Sequence, residues 1–143
     1  MKKLMFTIVL FLLLTACGPE VVIEIDQEQT RIIHDESIEM ISLYVRVENK
    51  GQLPANELYA RFLVTDSFVQ TALGDQQEIT FTDSDNNPEQ FQVSGNSSFF
   101  FSEVFSLQEE VTDEDLQNAI TVEIFDGKGD VVASHTIEQV VHD

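Results

Sequence analysis

Residues 41–64, ISLYVRVENKGQLPANELYARFLV, contain the two clearest strand patterns in the chain. In each half, apolar residues alternate with polar or amphipathic ones, the period of two expected when one face of a strand is buried. Between the halves, Asn49, Gly51 and Pro54 indicate a turn, because Asn and Gly tolerate positive φ and Pro presets a bend. The stretch therefore predicts two half-buried strands with these inward residues: Ile41, Leu43, Val45, Val47, Leu58, Ala60, Phe62 and Val64.

The rest of the chain continues as short strand patterns separated by turn residues. Further strands are predicted at 21–26, 79–81, 91–93, 120–124 and 131–137. No long helix is indicated, which favours an antiparallel sandwich over an α/β architecture. We therefore predict an all-β fold, a single antiparallel immunoglobulin-like β-sandwich of about seven to nine strands, with a closed barrel as the alternative.

Two segments depart from simple alternation. Phe99–Leu107 is rich in aromatic residues, and Glu103 shares a face with most of them, so we expect a β-bulge that restores the parity. Most of this run should lie in the core, with Phe100 pointing outward as a contact for a partner. Thr112 precedes the acidic run Asp113–Asp115, a pattern typical of a helix N-terminus, and it predicts one short helical turn in a connection between strands.

The segment Val45–Phe62 resembles the "hydrophobic strand, Asn-x-Gly, Pro-Ala, hydrophobic strand" pattern of bacterial immunoglobulin-like and fibronectin-III-like surface modules. The cell-adhesion-related domain found in bacteria is one such group. Gly95–Ser98 and the Asp-Gly pair at 126–127 fit the pattern more loosely. The resemblance implies a surface module of this fold. The chain has no Trp and one Cys, so it lacks the core Trp and the inter-sheet Cys pair of the best-known members, and no specific partner is carried over.

Composition excludes several classes of protein. The chain of 143 residues has 26 acidic side chains against 7 Lys and Arg, for a net charge of -19. Such a charge repels a phosphate backbone, so nucleic acid is excluded as a partner. A single Cys cannot form an internal disulfide or the thiolate cluster of a structural zinc site. An apolar content of 43% is high enough for one folded domain.

The N-terminus has the form of a targeting segment. Met1–Lys3 is cationic, and the apolar run Leu4–Ala16 is too short for a permanent membrane span. The run ends in Leu14-Thr15-Ala16-Cys17, which resembles the lipobox of bacterial lipoproteins. The resemblance implies that the thiol of Cys17 receives a diacylglyceryl group and that the chain is cleaved before this residue. An ordinary secretory signal that contains a Cys is the alternative.

These features predict three regions along the chain. Residues 1–16 form a lipoprotein signal peptide, residues 17–20 a lipidated N-terminus and short tether, and residues 21–143 the sandwich domain. The lipid would hold the protein on the extracytoplasmic face of the cell membrane, or on the outer membrane if the source has one.

The stretch Asp83-Ser84-Asp85-Asn86-Asn87-Pro88-Glu89 is the best candidate for a metal-binding loop. It departs from the EF-hand, since Pro88 stands at the sixth position in place of Gly and Ser94 at the twelfth in place of Glu. It predicts a weak calcium site at most, and a solvated acidic turn is the simpler interpretation. The candidate ligands are Asp83, Asp85, Asn87 and Glu89.

The remaining polar residues do not indicate catalysis. His34, His135 and His142 are too scattered along the chain to predict a transition-metal site, and Cys17 is assigned to the lipid. No motif pairs a nucleophile with a base, and no Gly-rich phosphate loop is present. We therefore predict that the chain is not an enzyme and has no cofactor apart from the lipid and the weak calcium candidate.

The sequence as a whole favours a non-catalytic cell-envelope lipoprotein whose β-sandwich acts as a binding or structural module. Its partners would be the membrane, through the lipid, and another envelope protein or a wall component. An unpaired apolar edge of the sandwich or an exposed Phe cluster would favour this function. The alternative is a calcium- or solute-binding accessory subunit of an envelope complex.

Overall fold

The structure is a computed structural model that describes residues 18–142. Within this part of the chain it has ten β-strands and two short helices. The strands are β1 (Ile23–Ile25), β2 (Arg31–Asp35), β3 (Met40–Asn49), β4 (Ala55–Val64), β5 (Glu78–Thr80), β6 (Phe91–Val93), β7 (Ser97–Ser106), β8 (Ile120–Phe125), β9 (Val131–Thr136) and β10 (Val140–His142). The helices are α1 (Ser67–Ala72) and α2 (Asp113–Leu116).

The first sheet is built around β3. On one side β3 pairs with β7 over its full length, from Met40 opposite Ser106 to Asn49 opposite Ser97. On the other side it pairs with β2 near its start and with β1 near its end. The last strand, β10, adds to β2 in a parallel arrangement. Among residues 18–142 this is the one parallel pair, so the prediction of an antiparallel sandwich is correct elsewhere and wrong here.

The second sheet is built around β4. One side of β4 pairs with β8, which in turn pairs with β9, and the other side is shared by β5 and β6. The β8–β9 hairpin turns at Asp126–Asp130, where Gly129 has a φ of 86° that favours glycine. This is the Asp-Gly turn that the sequence predicts.

The two sheets pack face to face around one apolar core. Phe62 on β4 is fully buried and contacts Phe101 on β7 edge-on, with ring centroids 6.2 Å apart. The inward residues predicted for both central strands are all buried, each worth ~1.5–3 kcal/mol for a large aliphatic or aromatic side chain. The all-β sandwich predicted from the sequence is therefore confirmed.

Three elements were not predicted, and the number of strands exceeds the expected seven to nine. Strand β2 buries Ile32 and His34 while Ile33 faces outward, so its sequence does not alternate cleanly. Strand β10 is only three residues long and pairs with β2 alone. Helix α1 is a single short helix after β4, capped by Asp66, whose carboxylate accepts the first free N–H groups. The second helix, α2, is the predicted helical turn, and a capping box between Thr112 and its third helical residue stabilises it.

The predicted bulge in the aromatic strand is wrong. The register of β7 with β3 is continuous over ten residue pairs. Glu103 points inward with its aromatic neighbours and stays half-buried. The strand tolerates this carboxylate because β7 lies at the edge of the sheet, where water still reaches the side chain.

The turn after β3 forms for a different reason from the predicted one, because neither Asn49 nor Gly51 has positive φ. Asn49 is the last residue of β3 and is buried. Its side-chain Nδ2 donates to the carbonyls of Leu53 (2.7 Å) and Val93 (3.2 Å). Its Oδ1 accepts from the N–H groups of Gly51 (3.0 Å) and Val22 (3.3 Å). Asn49 therefore binds four backbone groups and joins three segments, the chain before β1, the turn after β3 and β6, at one end of the sandwich.

Gly51 is required by close packing. A Cβ atom at this position would collide with the backbone carbonyl of Glu20, which accepts hydrogen bonds from Gln52 and Leu53. The chain preceding β1 is thereby held against the turn.

Several predictions concern residues outside the described part of the chain. These are the signal peptide 1–16, lipidation at Cys17 and the domain end at Asp143, and they stay predictions. No helix within residues 18–142 combines the length and apolar character needed to cross a membrane.

Candidate functional site

The strongest cluster of metal-ligating side chains lies where β10 joins β2. The parallel register places His142 directly opposite His34, and their rings stack with centroids 6.1 Å apart. His34 is only 2% exposed, whereas the side chain of His142 is 59% exposed. His34 is therefore held in place by the core, and the ring of His142 packs against it from the surface.

Asp113 joins the two histidines. It is the first residue of α2, and the capped start of this helix directs its carboxylate toward the strands. Its Oδ1 lies 2.9 Å from Nδ1 of His34, and its Oδ2 lies 2.7 Å from Nε2 of His142. One carboxylate thus bridges two imidazoles.

Glu36 completes this group, which we call the His–Asp cluster (His34, Glu36, Asp113 and His142). One ligand atom from each residue lies within 4.8 Å of every other. In the part of the chain that the structure describes, it is the one group of three or more His, Cys, Asp or Glu residues that meets this condition. Two imidazoles with two carboxylates are a set of ligands suited to zinc and other divalent transition metals, whereas calcium prefers oxygen ligands alone.

Two of the three histidines that lie scattered along the sequence therefore meet in the folded chain. His135 lies apart on β9, half-buried, and burial lowers its pKa below the ordinary value, partly opposed by the nearby Glu138 carboxylate. The sequence does contain a pattern that relates His34 to His142. Ile32-Ile33-His34 and Val140-Val141-His142 share one pattern, and their equivalent positions pair in register.

The predicted calcium loop differs from the His–Asp cluster in its exposure and in the role of its carboxylates. Asp83, Asp85, Asn87 and Glu89 are all exposed. The Oδ1 atom of Asp83 accepts hydrogen bonds from the backbone N–H groups of Asp85 (2.9 Å) and Asn87 (3.0 Å), so this carboxylate stabilises the turn itself. Within the described residues, the three carboxylates do not converge as the His–Asp cluster does. Calcium binding by this loop stays a prediction.

A second candidate site is the free edge of β7. The N–H of Leu107 donates to the carbonyl of Glu39 (2.8 Å), which identifies the odd-numbered residues of β7 as hydrogen-bonded to β3. The even-numbered residues must therefore direct their N–H and C=O groups away from β3. Among residues 18–142, β7 pairs with no other strand. The even-numbered residues are Ser98, Phe100, Ser102, Val104 and Ser106.

This edge is apolar and borders an aromatic groove. Phe100 is 64% exposed and Val104 is 55% exposed on the outer face, which confirms the predicted orientation of Phe100. On the inner face, Phe91 of β6 stacks on Phe99 with centroids 4.9 Å apart. The groove between β6 and β7 has a volume of about 150 Å³, and its lining includes Phe81, Phe91, Phe99, Phe101, Glu89 and Glu103.

No protein-family model and no curated protein matches the chain. Several solved structures are similar to it at low identity. A CARDB domain from Pyrococcus furiosus, in complex with di-metal ions, is 12% identical, with 86% of this chain and 94% of that chain covered and a TM-score of 0.45. The ligand-binding region of serine-glutamate repeat protein A of Enterococcus faecium is 11% identical, with 85% and 97% covered and a TM-score of 0.36. A calcium-binding mutant of β-glucuronidase 2 of Bacteroides uniformis is 14% identical, with 80% of this chain and 12% of that chain covered and a TM-score of 0.44.

Proposed function

We propose that this chain is a non-catalytic, lipid-anchored module of the cell envelope that binds another envelope protein along the edge of β7. The observation that supports this proposal is the free edge itself. It offers five residues with outward backbone donors and acceptors, between exposed apolar side chains. A strand of a partner protein can form backbone hydrogen bonds with such an edge, which give affinity. Contacts of its alternate side chains with the neighbouring surface then give specificity for that partner.

Of the features by which proteins usually prevent pairing, this edge has only an inward charge, that of Glu103. Natural edge strands carry Lys, Pro, a bulge or an inward charge that weakens the template. Strand β7, Ser97–Ser106, has no Lys, no Pro and an unbroken register with β3. Its single charge, Glu103, points inward, so the outer face presents only Ser, Phe and Val. This surface is suited to a partner strand.

Charge favours a different protein over a second copy of this chain. Each copy has a net charge of -19, so two copies repel each other at moderate ionic strength. A partner strand from another envelope protein avoids this repulsion.

The lipid would keep the module near the bilayer. Glu20 is already hydrogen-bonded to the turn after β3, so a tether of residues 17–20 reaches at most about 10 Å. An acyl chain gains ~0.8 kcal/mol per buried methylene, and two chains are enough for a stable anchor. We place the anchor on the extracytoplasmic face of the cell membrane, or on the outer membrane if the source has one.

Site-specific photocrosslinking in cells tests the edge. The photoreactive residue benzoylphenylalanine replaces Val104 on the free edge of β7 or, as a control, Lys128 in the exposed β8–β9 turn. We expect ultraviolet light to produce an adduct with an envelope protein from position 104 only. The change Ser102→Pro removes an outward N–H and should abolish the adduct. The same adduct from both positions, or one that survives Ser102→Pro, would contradict binding along this edge.

Metabolic labelling with palmitate tests the anchor separately. The unaltered chain should incorporate label and remain in the membrane fraction, and Cys17→Ala should lose both properties. A Cys17→Ala chain that stays in the membrane fraction would show that the lipid is not the anchor.

A further inference from the structure

We propose that the His–Asp cluster binds one zinc ion, which fastens the last strand of the sandwich to β2 and α2. The ligands are His34, Glu36, Asp113 and His142. This site is separate from the β7 edge and does not depend on the partner proposed there.

The donor set favours zinc. Imidazole nitrogen is a good ligand for zinc and a poor one for calcium or magnesium, which prefer oxygen. Two neutral imidazoles and two carboxylates also balance the charge of a divalent ion. The strongly acidic surface, with a net charge of -19, raises the local concentration of divalent cations around the protein.

The geometry needs only small side-chain movements. Zinc takes four ligands at ~2.0–2.2 Å in a tetrahedron, which places the ligand atoms ~3.3 Å apart. Asp113 contacts the two imidazoles through different oxygens, at 2.9 Å and 2.7 Å, so its ligand oxygen is already within this separation of one imidazole. The remaining separations are at most 4.8 Å. Glu36 and His142 lie at the surface and are free to adjust, while buried His34 supplies a fixed ligand.

The expected role is structural. The four ligands come from three parts of the chain that are far apart in sequence: β2 with the residue after its end, α2 and β10. A zinc ion with four protein ligands leaves no open position for a substrate, and it stabilises the folded state because the unfolded chain does not hold the ligands together. The zinc ion would stabilise the short strand β10 most, because this strand has three residues and pairs with β2 alone.

The test uses the full chain, without a histidine tag and freed of metal with EDTA. Titration with zinc chloride, followed by calorimetry, should show one ion bound per chain. At zinc concentrations ~100-fold above the dissociation constant, the unfolding temperature should rise by roughly 5–10 °C. Cobalt(II) in place of zinc should give the intense visible absorption of four-coordinate geometry.

Two variants separate this site from general binding to acidic residues. His142→Ala removes an exposed ligand at small cost to folding and should weaken zinc binding at least ~10-fold. His135→Ala removes a histidine outside the cluster and should leave zinc affinity unchanged. The proposal is wrong if zinc produces neither heat nor a thermal shift, or if His142→Ala binds zinc as tightly as the unaltered chain. Either result would leave the cluster as a metal-free pair of His–Asp hydrogen bonds.

Discussion

Strands β3 and β7 have the same length and pair with each other at every position, yet their environments differ sharply. In β3 every second residue is buried, and Ile41, Leu43, Val45 and Val47 are completely enclosed. In β7 no residue is fully buried, although the strand is rich in Phe. The difference lies in their neighbours, because β3 has strands on both sides and β7 on one side only. Apolar composition therefore does not predict burial in this sheet, and position within the sheet does.

The largest expected effect is at Asn49, the buried end of β3. Asn49→Ala removes four hydrogen bonds and leaves two buried backbone groups, the N–H of Gly51 and the C=O of Val93, without these partners, which should lower the free energy of unfolding by about 4 kcal/mol. Ser97→Ala, directly opposite on β7, removes only an exposed hydrogen bond from its hydroxyl to the carbonyl of Ser94 and should lower it by less than about 1 kcal/mol. Urea denaturation of both variants measures the two values. Equal losses would contradict the contrast between the strands.

A cavity in β3 should have the next largest effect. Leu43→Ala empties space in a fully enclosed site and should cost about 3 kcal/mol. Val104→Ala, on the outer face of β7, should be nearly neutral. Thermal unfolding of the two variants compares them, and a loss above about 1 kcal/mol for Val104→Ala would mean that the outer face of β7 is covered within the folded chain.

Proline substitutions compare the two edges of β7 itself. The N–H of Glu103 bonds to β3 and that of Ser102 points to the free edge, as the hydrogen-bond alternation requires. Glu103→Pro should therefore cost about 2 kcal/mol, and Ser102→Pro less than about 1 kcal/mol. Chemical denaturation checks both. The reverse order would mean that Ser102, and not Glu103, donates its N–H to β3.

The smallest effect concerns His135 on β9, which lies at an edge of the second sheet. Desolvation lowers the pKa of His135 in the folded state below its ordinary value of about 6.5. As the pH falls below about 6.5, the unfolded chain therefore binds more protons at this residue than the folded chain does. The contribution of His135 to stability is therefore present above that pH and is lost as the pH falls through the lowered pKa. His135→Gln should lose less stability than the unaltered chain between pH ~7 and ~5. Denaturation curves at several pH values measure this difference, and identical pH profiles would rule it out.

The sequence predicted the central part of the fold better than its periphery. The alternation in 41–64 identified the two central strands and their inward faces, because each has neighbours on both sides and must bury one full face. The alternation rule also led to the wrong prediction of a bulge in β7, since we expected that the Glu103 side chain could not face the core. Strands β2 and β10 were missed because they are short and their sequences do not alternate cleanly between apolar and polar residues.

The candidate sites show the same division. The calcium loop was found because its acids are adjacent in sequence, but those carboxylates lie exposed, and one of them caps its own turn. The His–Asp cluster was missed because its members come from β2, α2 and β10 and meet only through a parallel strand pair. Adjacent residues suggest a site before folding, whereas distant ones require knowledge of which strands pair.

The sequence alone determined the all-β class, the core residues of the two central strands, the strong acidity and the capped turn at Thr112, since each depends on local pattern or on composition. The tertiary structure decided which strand lies at the edge, that β10 pairs in parallel with β2, and that His34 and His142 share one carboxylate. These depend on contacts between segments far apart in the chain, and no local free-energy preference selects one such pairing over another.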